Sequence, residues 1–306
     1  GSHCKFKEEN IMIVQHNMSA LNTNRQLSIT NSNVSKSTEK LSSGYRINRA
    51  ADDAAGLSIS EKMRAQIRGL KQASTNAQDG QSLIQTAEGA MSEIHSVLQR
   101  MRELVVQAAN DTNVSTDRKA IAKEVKQLTS EINRIATQTE FNTMKLLSGK
   151  FKGKKLQVGA NGNQKIKISI KKLTAAKLGL STKVGKSTTK QSIASIISSG
   201  KFVNDKGVTV KGYSAITALI SIVNTAIVSI STQRSYLGAI QNRLDHTISN
   251  ANNMAENLQS SESKIRDVNM ADEMVSYSSL SILQQAGQSM LAHANQATQG
   301  VLSLLG

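Results

Sequence analysis

Ser42-Ser43-Gly44-Tyr45-Arg46-Ile47-Asn48-Arg49-Ala50-Ala51-Asp52-Asp53-Ala54-Ala55-Gly56-Leu57 reads as a joint between two long helices. Gly44 suits the left-handed conformation that closes a helix, and Gly56 permits close backbone approach. Asp52 and Asp53 stand where a second helix would begin, able to cap its free N–H groups and favoured by its dipole. Arg46 and Arg49 supply counter-charge across the joint. Spacing alone makes this an ordinary helix–loop–helix corner.

The periodicity on both sides supports long helices. Downstream, Leu70, Ala73, Ala77, Gly80, Ile84, Ala87, Met91, Ile94, Leu98, Met101, Val105 and Ala108 alternate spacings of three and four, the mark of a coiled-coil seam. Met91 and Met101 lie on it and read as core fillers. Gly80 and Gly89 weaken the helix locally but let a neighbour approach. Upstream, Ala20, Leu27, Val34 and Leu41 fall seven apart, while their seam partners Thr23, Thr30 and Ser37 are polar. That helix is marginal alone and is expected to order when packed on others.

After a turn at Asn110-Asp111-Thr112-Asn113, a helix is predicted over 116–139, with Ile121, Val125, Leu128, Ile132 and Ile135 on one face. A second long seam, Ile220, Val223, Ile227, Ile230, Arg234, Leu237, Gln241, Leu244, Ile248, Ala251, Ala255 and Leu258, returns near the C-terminus. At 1.5 Å per residue each seam is roughly 60 Å long, so the two can bury each other as a bundle. A last helix runs to Leu305 and is apolar or small at Ala286, Met290, Leu291, Ala294, Ala297, Val301, Leu304 and Leu305.

Between the helical halves the period changes to two. Leu156-Gln157-Val158 and Lys165 to Ile170 flank the turn Gly159-Ala160-Asn161-Gly162-Asn163, a hairpin signal. In 171–212 only a short helix, Gln191 to Ser199, and a short strand, Val208 to Val210, stand out. The net charge of +16 is concentrated here: Lys145 to Lys211 holds 16 Lys, no Arg and one acid, Asp205, hence +15. Phe151, Phe202 and Tyr213 are nearby but not interleaved with the lysines as in RNA-binding surfaces. A solvated outer surface is the plainer reading.

Composition narrows the function. Among 306 residues there is no Pro, no Trp and only 3% aromatics, which suits long helices with Leu, Ile, Val, Ala and Met between them. No window reads as the ~18 apolar residues of a membrane span, so a soluble chain is expected. The first residues lack the pattern of a cleaved secretion signal. Gly1-Ser2-His3 looks like a tag scar, Met12 a plausible native start, and the only cysteine, Cys4, precedes it. His16, His95, His246 and His293 are scattered, no nucleotide-binding glycine motif follows a strand, and Asp52-Asp53 is better explained as capping than as an acid–base pair. No enzyme, cofactor or metal site is expected.

The joint and its continuation, Ser58-Ile59-Ser60-Glu61-Lys62-Met63-Arg64-Ala65-Gln66-Ile67-Arg68-Gly69-Leu70, closely resemble the N-terminal signature of bacterial flagellin. Ile13 to Asn22, Phe141 to Leu147, the hairpin wording Leu156 to Asn161, Ser235 to Leu244 and Glu262 to Met274 resemble the same family. The likeness covers roughly 11–150 and 215–306. One departure is that the family often has Pro before the terminal leucines, where this chain has Gln296-Ala297-Thr298-Gln299.

The resemblance implies a mainly α fold of long antiparallel helical rods formed by the N- and C-terminal halves, with a β-hairpin and a small basic outer insert. It implies an inner helical domain of 12–44 with 265–306, a rod domain of 45–170 with 214–264, a variable insert of 171–213, and a tag or linker at 1–11. Function would be self-assembly into the extracellular flagellar filament, with Ala20, Leu27, Val34, Leu41, Met290, Leu291, Val301, Leu304 and Leu305 in the assembling helices. Export would use no cleaved signal. An export chaperone would cover the C-terminal helix, and hook-associated and cap proteins would be further partners.

Gln99-Arg100-Met101-Arg102-Glu103-Leu104 is the one binding stretch to name. Arg100 and Glu103 pair at i,i+3 for about 0.3 kcal/mol, and Leu104 reads as near or on the outer face. By resemblance, Arg100, Leu104 and Glu124, with Gln99 alongside, take the roles that contact host Toll-like receptor 5. Two alternatives are a hook–filament junction protein, which shares terminal helices, and a basic nucleic-acid- or surface-binding module resting on the lysines alone. Neither nucleic acid nor membrane is expected as a partner.

Overall fold

Helix α1 (Met18–Ser43) begins at Asn17, whose side-chain oxygen accepts from the Ala20 N–H at 2.9 Å. It ends at Gly44, in the left-handed region at φ 74° with its N–H on the Lys40 carbonyl. The computed structural model describes residues 17–183, 190–203, 209–211 and 213–305. The tag, Met12 and His16 lie outside that set, as does Val208 of the expected short strand. Helices α2 (Ala54–Ala109), α3 (Ser115–Gln138), α4 (Ile193–Ser199), α5 (Tyr213–Arg266) and α6 (Met270–Leu305) follow in chain order. The fold is mainly α, with short antiparallel hairpins between α3 and α5.

The chain divides into two compact units, residues 1–65 with 257–306, and residues 66–256. In the first, α1 and α6 pack along each other. Ala20, Thr23, Leu27, Thr30, Val34 and Leu41 are half-buried, and Ser37 is buried. Facing positions on α6 are Tyr277, Leu280, Gln284, Gly287, Leu291 and Ala294, also half-buried. Leu27 seats over Gly287, where an added Cβ would lie 3.3 Å from the Leu27 Cδ1. Polar links complete the pairing: Asn17 donates to the Ala294 carbonyl (2.8 Å), Gln284 to Asn31 (2.9 Å), and Lys40 meets Glu273 at 3.8 Å. Thr23, Thr30 and Ser37, polar in the seam, therefore lie on the contact face.

In the second unit one continuous core joins α2, α3, α5 and the segments between them. All twelve seam residues of α2, from Leu70 to Ala108, are buried. In α5 half of the expected seam holds: Val223, Ile230, Leu237, Leu244, Ala251 and Ala255 are buried. The alternate positions shift by one, because Leu219, Ala226, Gln233 and Ile240 are buried while Ile220, Ile227, Arg234 and Gln241 lie at the margin. Buried Gln233 is satisfied by donating to the Ser169 carbonyl at 3.2 Å. Arg234 reaches Glu88 of α2 at 3.5 Å.

Glu140–Phe141 (β1) and Met144–Lys145 (β2) form a two-residue hairpin through Asn142 and Thr143, both at positive φ. Lys154–Gln157 (β3) and Lys165–Ile168 (β4) form the hairpin expected from the alternation, with Leu156 opposite Ile166 on the inner face. It lies on α2 at glycines: a Cβ on Gly80 would overlap Leu156, and one on Gly69 would lie 2.9 Å from the Ala160 Cβ. Gly89, also read as a point of approach, has nothing within 4 Å of a Cβ position. The two sites predict opposite signs. Gly89→Ala gains helix propensity of up to about 1 kcal/mol and should raise the melting temperature by about 2–4 °C. Gly69→Ala should lower it, since the turn backbone at Ala160 must move. A calorimetric scan of each variant decides it, and a rise with Gly69→Ala would remove the close approach.

Within 171–213, Ser181–Lys183 (β5) pairs with Lys190–Ser192 (β6), and Lys201–Val203 (β7) with Thr209–Lys211 (β8). Helix α4 starts on reciprocal Ser192–Ser195 hydrogen bonds and packs against α3. Its Ile193, Ile196 and Ile197 enter the same core as Leu178, Leu180 and the long helices. The α5 sequence departs from the reading of no membrane-length apolar window. It has an 18-residue window of mean hydropathy 1.8, a third of it buried, so it is long and apolar enough by length and composition. Residues 213–233 carry no charge, and Ser and Thr spaced among Ile, Val and Ala lower the hydropathy only slightly.

Candidate functional site

The joint is built from residues far apart in sequence. Past Gly44 the chain runs antiparallel to the link after α5. Tyr45 bridges Asp267, the Arg46 N–H donates to the Arg266 carbonyl (2.7 Å), and Val268 donates back to Gly44 (3.0 Å). The Arg46 guanidinium also donates to the Ile265 carbonyl. Arg49 pairs with Glu39 of α1 at 3.1 Å. Two guanidinium groups lie over the Tyr45 ring, Arg266 at 4.8 Å and Arg64 at 5.9 Å from its centroid. Arg64 in turn pairs with Glu262 at 2.7 Å. Tyr45, Arg64, Glu262 and Arg266 thus form a clasp between α2 and α5 that sequence reading did not single out. An aromatic at this spot in a chain with four Tyr is the only signal that pointed to it.

The two aspartates divide their work. Asp53 caps α2, accepting from the Gly56 N–H at 2.8 Å. Asp52 does not cap the helix. It folds the loop back on itself, accepting from the backbone N–H groups of Asn48 (3.1 Å) and Arg49 (2.9 Å). Those hydrogen bonds, Arg49's first, hold its carboxyl below the usual carboxylate range. A pKa lowered on folding stabilises above the unfolded value, about pH 4, and that contribution fades as the pH falls through the folded value. Asp52→Asn should therefore be less stable than the parent at pH 7, with the gap closing toward pH 2. Melting curves at several pH values would show it, and a gap that widens on acidification would contradict it. Ile47 is buried beneath the loop, and a side chain at Gly56 would collide with it and with Asp53.

Helices α1 and α6 expose a second apolar set. Leu27, Val34, Leu41 and Leu291 face the α1–α6 contact, whereas Met290 is 60% exposed. Met18, Leu21, Ile29, Met270, Met274, Val275, Ile282 and Leu283 are exposed as well. Val275 at 71% and Ile282 at 66%, seven apart, lie with Met274, Leu283 and Met290 away from α1. Val301, Leu304 and Leu305 lie in or at the end of α6, and their side chains are outside the described residues.

On α2 and α3, Arg100 donates to Glu124 through Nε (3.1 Å) and Nη2 (3.0 Å) and to Glu103 through Nη1 (3.1 Å). These partners, Glu103 first, favour its charged form. Gln99 lies alongside, within 3.1 Å of the His95 ring. Leu104 corrects the outer-face reading: it is 2% exposed and belongs to the core, because it follows Met101 by three residues on the buried side of α2. The exposed apolar residue of this face is Val106, which borders a shallow groove with Gln99, Arg102, Glu103 and Gln107. Among the described residues no group of three His, Cys, Asp or Glu could hold a metal ion.

Two family models match the sequence: the bacterial flagellin N-terminal helical region over residues 14–152, and the bacterial flagellin C-terminal helical region over 220–305. Flagellin of Halalkalibacterium halodurans is 51% identical across 96% of this chain and 100% of its own length. Flagellin of Bacillus subtilis is 50% identical over the same shares. The flagellar filament 33 kDa core protein of Treponema phagedenis is 48% identical, again over 96% and 100%. Among solved structures, a putative flagellar hook-associated protein from Vibrio parahaemolyticus superposes with TM-score 0.55 at 12% identity, over 71% of this chain and all of its own, a likeness of fold alone.

Proposed function

The chain belongs to the bacterial flagellin family, and on that premise we propose how its surfaces are used. It is a structural subunit of the extracellular flagellar filament, polymerises with its own kind and is not an enzyme. A heterologous interface that does not close on itself gives an open helical polymer from one kind of chain. The observation that carries the reading is the exposed apolar set on α1 and α6: burying it costs a monomer nothing in lost internal contacts and gives copies a reason to join. Residues 12–44 with 265–306 form the inner assembling layer in this reading, and 45–170 with 214–264 the outer one.

Before assembly the same apolar face of α6 is where an export chaperone binds, and after assembly hook-associated and cap proteins meet the ends of the filament. The charge-free part of α5 serves the helical core rather than a membrane. Seeded polymerisation, followed by light scattering and electron microscopy, tests the assembly reading. The full chain should grow filaments, and a chain lacking residues 268–306 should not. A full chain without the N-terminal tag that stays monomeric with seeds at every salt concentration would overturn it and favour a junction protein.

Recognition by host Toll-like receptor 5 is assigned to the monomer, through Arg100, Glu124 and Gln99. The ion-paired guanidinium spans α2 and α3 and presents a fixed, charged, half-exposed surface. Leu104 acts through packing beneath it rather than by contact.

A further inference from the structure

We propose that the outer face of the β3–β4 hairpin is a binding surface for a linear acidic polysaccharide. Its residues are unusual for a solvated sheet. Antiparallel register places Lys155 directly opposite Lys167, and Lys165 follows on the same face opposite Gln157. All three lysines are exposed, and none has a carboxylate within ion-pair distance among the described residues. Like charges directly opposite across a ladder destabilise a hairpin. No acid in the hairpin's own segment offsets the repulsion: from Leu146 to Asn204 the sequence has none. Lys152 and Lys171 extend the exposed positive charge toward the base of the hairpin.

The chemistry selects the kind of polyanion. Opposed lysines lie about 5 Å apart at Cβ and the diagonal neighbour about 7 Å away, giving a flat cluster of point charges for sulfate, phosphate or carboxylate groups repeated along a chain. Lysine offers neither the planar fork nor the stacking surface with which Arg reads bases. The hairpin's own aromatic, Phe151, is buried, so no platform exists for unpaired bases. Exposed Asn161 at the turn supplies an amide for sugar hydroxyls. A filament subunit works outside the cell, where acidic polysaccharides are the abundant polyanions. Repetition of the subunit along the filament would multiply a weak single contact into avid attachment.

The test measures binding of the full chain to immobilised heparin, as monomer and as filament, from about 50 to 300 mM salt. Heparin should bind, filaments more tightly than monomers. The triple variant K155Q/K165Q/K167Q should lose at least tenfold in affinity, with the log–log salt slope shallower by about 2–3. K62Q/K119Q/K123Q, on exposed helical lysines, removes the same charge and should change affinity less than twofold. K155R/K165R/K167R should restore binding and shows that the hairpin still folds. Equal losses in the first two variants would reduce the effect to net charge and overturn the site. Duplex DNA or anionic phospholipid vesicles bound as tightly as heparin would overturn the assignment to polysaccharide.

Discussion

Val275→Asp with Ile282→Asp should abolish filament growth while leaving the monomer folded. Both side chains are more than two-thirds or about two-thirds exposed, so the substitutions remove little internal packing. Surface changes of this kind usually move stability by no more than about 0.5 kcal/mol. In the polymer the arithmetic reverses. Burying a Val or Ile contributes about 1.5–3 kcal/mol, and placing an unpaired carboxylate in an apolar contact costs several kcal/mol more. Each 1.4 kcal/mol is about a factor of ten in an association constant. The pair should therefore raise the critical concentration by well over a hundredfold, which in practice is no polymer. Val114→Asp, at an exposed apolar residue preceding α3, adds a charge elsewhere and should assemble normally. Sedimentation of seeded samples reads the result. Filaments of ordinary length from the double variant would show that this face of α6 is not an interface.

The same helices show how far sequence periodicity reaches. The α2 seam was legible in full because an unbroken alternation of three and four over many turns leaves one face apolar. The α5 seam was legible only in part, since Leu219 and Ile220, and Ala226 and Ile227, are adjacent pairs that fit the period equally well. Volume and charge settle them: the true register buries Ile240 and Gln233 and leaves Gln241 and Arg234 at the edge. An amide can be satisfied by one carbonyl, whereas an isolated buried guanidinium cannot. Gly44 and Asp53 act as their residue types suggest, but Asp52 turns inward to the loop, where it accepts from the N–H groups of Asn48 and Arg49. The Tyr45 clasp was illegible for another reason. Its partners Glu262 and Arg266 lie over two hundred residues away, and only the α1–α6 pairing and the link after α5 bring them near.

Leu104→Ala and Arg100→Ala should separate packing from recognition. With Leu104 2% exposed in the core of α2, its truncation should cost about 2–5 kcal/mol. For a unit of this size each 1 kcal/mol is about 2–4 °C in melting temperature, so a fall of roughly 4–20 °C is expected. Arg100 behaves oppositely. Its side chain is 53% exposed, and exposed ion pairs contribute only about 0–1 kcal/mol, so Arg100→Ala should melt within about 3 °C of the parent. Receptor signalling should invert the order. A guanidinium anchoring an interface is commonly worth 2 kcal/mol or more, so Arg100→Ala should weaken activation of a Toll-like receptor 5 reporter by at least tenfold. Leu104→Ala, assayed well below its melting temperature, should lose only a few-fold, because the contacting side chains above it remain. Should Leu104→Ala melt like the parent and yet silence the reporter, Leu104 itself would be the anchor, and the core placement would not describe the receptor-bound state. Arg100→Ala with full activity would instead leave the α2–α3 ion pair as a structural link and move recognition to the neighbouring groove at Val106.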